Sequence, residues 1–119
     1  MNAALRELSR IALIYRKLSR HHLANNIYYG IIERMETRGT KSMELALAHY
    51  ELGESYAEEG LHELAQAHYR HAANIYGDLF PDQAKSPFWY SEVLRSLSRI
   101  SSSSLQITGE EKSGDSNVA

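Results

Sequence analysis

Apolar and small residues recur along most of this chain at helical spacing. Leu45, His49, Leu52 and Tyr56 follow one another at intervals of four, three and four, which places them on one stripe of an α-helix. Gly60 then offers a residue able to take the left-handed conformation that closes a helix C-terminus, and the spacing resumes from Leu61 through Leu64, Ala65, Tyr69, Ala72, Ala73 and Tyr76. The pattern predicts two antiparallel helices. Gly53 and Ala65 lack bulk, so the pair can approach closely while Tyr56 and Tyr69 fill the spaces alongside. A glycine within a helix is about 1 kcal/mol worse than alanine, so its presence at position 53 needs a packing reason.

The same pattern occurs earlier in the chain. Under a shift of 41 residues, Ile11, Ala12 and Tyr15 fall on Leu52, Gly53 and Tyr56, and Leu23, Ala24 and Tyr28 fall on Leu64, Ala65 and Tyr69. This copy predicts helices over about 3–18 and 21–35, with Ser19 where the later copy has Gly60 and with Gly30 inside its second helix. Thr37, Gly39 and Thr40 punctuate the chain between the copies, and Thr40 or Ser42 is placed to cap the next helix. After Pro81, Ser86 and Pro87 mark a further helix start, and Tyr90, Val93, Leu94 and Leu97 repeat the stripe once more. The expectation is one all-α domain of five helices over 1–100: a first hairpin at 3–38, a second at 42–79 and a half repeat at 86–100. Residues 101–119, rich in Ser, Gly and charge, are expected to be a disordered tail, or a short arm that orders on a partner.

The stretch His49 to Ala72, with Leu52-Gly53, Tyr56, Gly60, Ala65, Tyr69 and Ala72, resembles the tetratricopeptide repeat. The first copy matches in part, with Ile31 in place of a small residue, and the third supplies only a leading helix. A period of 41 is similar to that of the longer, kinesin-light-chain variety, as is the turn around Leu79, Pro81 and Asp82, though without that variety's histidine. The resemblance implies about two and a half hairpins stacked as a short right-handed α-solenoid, whose first helices line a concave groove for a peptide or helix of a partner protein. It places Arg6, Ser9, Leu13 and Arg16 of the first copy in that groove, with Leu47, Tyr50 and Glu54 of the second and Phe88, Ser91 and Arg95 of the third. Some members of the family grip a C-terminal carboxylate with Lys and Asn; Ser9 and Leu13 occupy those places here, so that clamp is not expected.

Charge adds a polarity to this picture. Residues 1–38 carry seven Arg or Lys against three Glu, and residues 39–80 carry two against seven acids. The acidic segment argues against a nucleic-acid partner, which calls for a continuous basic surface. Either the basic face is solvated, or it docks an acidic partner, among them a second copy presenting Glu51, Glu54, Glu58, Glu59 and Glu63. A half repeat leaves an apolar end in need of a cover, which makes a homodimer an expectation as well.

Chemistry is sparse. The absence of cysteine excludes disulfides, thiolate metal cages and a cysteine nucleophile. His68 and His71 can share a helix face, but no histidine and carboxylate set has convincing ligand spacing; in HELAQAH the two histidines are six apart, about 240° around the helix. No metal, cofactor or catalytic residue is expected, and no enzymatic role. Tyr15, Tyr28, Tyr56 and Tyr69 read as core; Tyr50 and the pair Phe88 and Trp89 are the candidate contact anchors, the pair alternatively stapling the last helix to the second hairpin. No stretch has the roughly 20 apolar residues of a membrane span, and Arg6, Glu7 and Arg10 interrupt the start, so a cytoplasmic location without membrane insertion is expected. The reading is a protein-interaction module, an adaptor or chaperone-like binder. An architectural factor that assembles only with itself is the alternative, with a helical metal protein or enzyme behind it.

Overall fold

The chain makes the same turn twice, at equivalent positions of the repeat. In the computed structural model, which describes residues 3–39 and 41–100, helix α1 spans Ala3–Lys17, α2 His21–Thr37, α3 Met43–Glu58 and α4 His62–Leu79. A short 3₁₀ turn at Gln83–Lys85 leads to α5, helical over 88–100. All five elements of regular length are helices, and no strand occurs among the described residues.

Both hairpin turns close with paired backbone bonds. At the end of α3, Leu61 N–H donates to the Tyr56 carbonyl at 2.9 Å and Gly60 N–H to that of Ala57 at 3.0 Å, with Gly60 at φ 80°. At the end of α1, Arg20 N–H donates to Tyr15 at 2.8 Å and Ser19 N–H to Arg16 at 2.9 Å. Ser19 adopts φ 61° to do so, a conformation that its Cβ disfavours. The helices that follow, α2 and α4, begin without a side-chain cap bond. The second hairpin starts differently: the Ser42 hydroxyl accepts from Leu45 N–H at 3.1 Å. Thr40, the other candidate cap, lies outside the described residues, as does the tail over 101–119.

The core runs through the stack: α1 packs on α2, α2 on α3 and α3 on α4. Gly53 allows the close approach in the second hairpin, where a Cβ built on it would come within 2.7 Å of the Tyr69 ring and 3.2 Å of the Ala65 carbonyl. Ala12, Ala24, Ala65 and Ala72 are fully buried, and Tyr28, Tyr69 and Tyr76 are the largest enclosed side chains. Helix α5 joins through Tyr90, whose ring stacks on Tyr76 with centroids 5.6 Å apart, and through Val93 and Ile100. This succession of neighbouring packed helices is consistent with a helical repeat.

Candidate interaction surface

The three leading helices, α1, α3 and α5, are tied to one another by polar side chains. Ser9 Oγ donates to Glu51 at 3.1 Å. Arg16 is bidentate to Glu58, at 3.2 and 2.8 Å, and also reaches the Tyr28 hydroxyl at 3.4 Å. Across the second step, Glu54 accepts from the Tyr69 hydroxyl at 2.6 Å and from Ser96 at 3.4 Å. The basic first helix and the acidic third are thus partners within one molecule. Burial opposes the Arg16 charge, but the bonds to Glu58 and Tyr28 outweigh it and hold the guanidinium more firmly protonated than usual. Burial alone would raise the Glu58 pKa, and Arg16 and His21 pull it below the ordinary value. Burial raises that of Glu51.

These bonds sort the residues that the sequence places on this face. Arg16 and Glu54 belong to the internal framework. Tyr50 is buried, against the Tyr69 ring at 5.7 Å and the Trp89 ring at 5.9 Å, because α5 settles over it. Leu47 is half-buried against the core. Arg6, Leu13, Phe88 and Arg95 stay exposed. Leu13 borders a cavity with Arg16, Lys17 and Glu58; Arg95 pairs with Glu92 at 3.0 Å, and Phe88 is 67% accessible at the far end, edge-on to Trp89. The sequence thus offered a staple and an anchor for the aromatic pair: Trp89 packs on Tyr50 while Phe88 projects outward.

A histidine cluster sits in the seam between α2, α3 and α4, and the sequence pattern signalled two of its three members. The His49 ring stacks on His71 at 4.8 Å and on His68 at 5.3 Å, with Nδ1 of His49 and Nδ1 of His68 3.1 Å apart. Glu36 of α2 lies 3.5 Å from His49 Nε2, and Tyr29 bonds both the Tyr56 hydroxyl at 2.7 Å and His68 Nε2 at 3.4 Å. Burial, then His71 and His68, push the His49 pKa down to about 4; burial and His71 also lower that of His68. The rings meet face to face and do not converge on a point, and no group of three His, Cys, Asp or Glu that could hold a metal ion occurs among the described residues. Helical spacing shows that His68 and His71 share a face; that His49 of another helix completes the stack depends on the packing angle.

No helix of the described residues is long and apolar enough to cross a membrane. No family model matches the chain, and no curated protein matches it significantly.

Proposed function

We propose that the protein is a tetratricopeptide-like interaction module, its hairpins stacked in a right-handed sense, and that the face of α1, α3 and α5 receives a peptide or helix of a partner protein. The observation that carries this reading is the distribution of apolar surface on the leading helices. Tyr50 and Glu54 are consumed by internal contacts at the middle, whereas Leu13 and Phe88 remain uncovered at the two ends, each with a cation nearby in sequence, Lys17 and Arg95. Exposed aromatic side chains such as Phe88 are suited to anchor a partner, since aromatic anchors carry much of the binding energy at protein interfaces. The sequence resemblance of His49 to Ala72 to the tetratricopeptide repeat points to the same face. The reading assigns the protein no reaction and no cofactor, and places it in the cytoplasm.

The test compares wild-type protein with Phe88→Asp and Leu13→Asp as baits in extract, with captured proteins identified by mass spectrometry and then rebound in purified form by calorimetry. A partner held at least about tenfold more weakly by the variants, whose melting temperatures match wild type, is the expected result. Equal binding by all three proteins would remove this face from consideration. Light scattering of the bait alone separates this reading from an architectural homo-oligomer.

A further inference from the structure

The second hairpin has a groove between α3 and α4 that is filled, and the filling is α2. Leu52 at its floor is 0% accessible; the α2 side chains Asn25, Tyr29 and Glu36 meet Glu59, Tyr56 and His49 along its length. The 41-residue register maps this groove onto the first hairpin. Leu52 corresponds to Ile11, Ser55 to Ile14 and Glu59 to Leu18, and these three are 42%, 56% and 62% accessible. The matching groove between α1 and α2 therefore presents an open apolar stripe where the second hairpin is covered by a helix.

Its lining differs from the filled groove in a way that defines a ligand. The three stacked imidazoles, His49, His68 and His71, are replaced by Leu8, Ile27 and Gly30. Gly30 stands mid-helix, exposed, with no atom within 4 Å of where a Cβ would lie, so it permits close approach of an incoming backbone. One edge changes sign. Glu51 and Glu58 of α3 correspond to Arg10 and Lys17 of α1. In the filled groove α2 sets His21 3.2 Å from Glu58, and burial and then the Glu51 charge act on Tyr28, raising its pKa, two positions seven residues apart on the covering helix. Against Arg10 and Lys17 the same two positions require carboxylates. Arg10 bonds Glu7 only in an exposed pair on its own helix, a weak competitor.

We propose that this groove docks an amphipathic helix of another protein, one whose apolar stripe seats on Ile11, Ile14 and Ile27 and whose edge carries two carboxylates seven residues apart toward Arg10 and Lys17. A second copy does not supply that edge: Glu44, Glu51 and Glu58 are the acids with this spacing on a helix of the chain, and α1 already engages Glu51 and Glu58. The site borders the face of α1, α3 and α5 at Lys17, but its apolar stripe of Ile11, Ile14 and Ile27 and its Arg10 are not part of that face, and either proposal stands if the other fails.

The probe is a fluorescein-labelled, lactam-stapled peptide of residues 21–37 carrying His21→Glu, Tyr28→Glu, Tyr29→Leu and Glu36→Leu, titrated with the full-length protein by anisotropy. The expected result is binding about tenfold tighter than that of the stapled unaltered sequence, weakened by salt. Ile14→Glu and Gly30→Leu should each weaken it by about tenfold, with melting unchanged in the first and raised in the second, since both positions are exposed and Gly30 lies within a helix. Lys17→Glu should do the same, with affinity recovered by a peptide bearing Lys at position 21. Equal affinity for both peptides, or indifference to Ile14→Glu, would overturn the proposal. So would concentration-dependent dimerisation of the protein alone that Ile14→Glu abolishes, which would make a second copy the occupant.

Discussion

Two helix-interior glycines in one small protein should respond to alanine in opposite directions. At Gly53 the new methyl would lie 2.7 and 2.8 Å from Tyr69 ring carbons and 3.2 Å from the Ala65 carbonyl. The ring has little freedom to retreat: Tyr69 is 2% accessible, its hydroxyl bonds Glu54 at 2.6 Å and Tyr50 backs it. Overpacking of this kind costs about 1–3 kcal/mol, against a helix-propensity gain of about 1 kcal/mol, which leaves Gly53→Ala destabilised by up to about 2 kcal/mol. At Gly30 nothing lies within 4 Å, so the propensity gain stands alone and Gly30→Ala should be about 1 kcal/mol more stable. For a domain of this size each kcal/mol moves the melting temperature by about 4–8 °C, so the two variants should separate clearly. Urea midpoints that move with unchanged m-values would report changes in stability at constant surface exposed on unfolding. A Gly53→Ala protein stabilised as much as Gly30→Ala would show that the helices of the second hairpin do not nest through this residue, and the repeat reading would lose its packing basis.

Two further outcomes follow from the turns and the histidine seam. Ser19→Gly should stabilise the protein by about 0.5–1 kcal/mol in the same denaturation assay, because relief of the left-handed conformation at φ 61° exceeds the added freedom of the unfolded chain; a loss of stability would mean that the Ser19 side chain does more than tolerate the turn. His49 is held neutral down to about pH 4, below its unfolded value of 6.5, so the unfolded chain binds the extra proton. Its contribution is complete above pH 6.5 and is lost as pH falls toward 4, at most about 3 kcal/mol from the shift and less to the extent that Glu36 attracts the charged form. Urea midpoints between those pH values should decline in wild type and decline less in His49→Gln, and identical slopes would exclude His49 as the source.

The hairpins were legible because their determinants are local. Gly60 and its counterpart Ser19 are each followed by a fresh helical stripe, and the pairing of Gly53 with Tyr69 within one hairpin spans only a short loop. Side-chain fates on the leading helices were not legible, since helical periodicity fixes an angle about one axis and leaves open which neighbour occupies that angle. Arg16 has the spacing of a groove residue, yet Glu58, 42 residues away, claims it. Tyr50 looks free on α3 until α5 brings Trp89 over it. The charge division between the first and second segments was visible, but it reads equally as attraction between molecules; the bonds from Ser9 and Arg16 to Glu51 and Glu58 show it at work within one.

The two grooves divide an ambiguity that repetition creates. Two equivalent clefts, lined alike, would accept the same helix, and α2 of one molecule could fill a cleft of another. The filled groove is polar: Tyr29 must meet the Tyr56 hydroxyl and His68 together, and Asn25 must meet Glu59. Buried polar groups left unmet are expensive, so a helix without that side-chain order is rejected. The open groove replaces the imidazoles with Leu8, Ile27 and Gly30, a lining that tolerates varied apolar partners, and it leaves selection to Arg10 and Lys17 at the edge. Placing the demanding chemistry in the internal seam reserves it for the chain's own α2, while the permissive seam stays accessible to a helix from elsewhere.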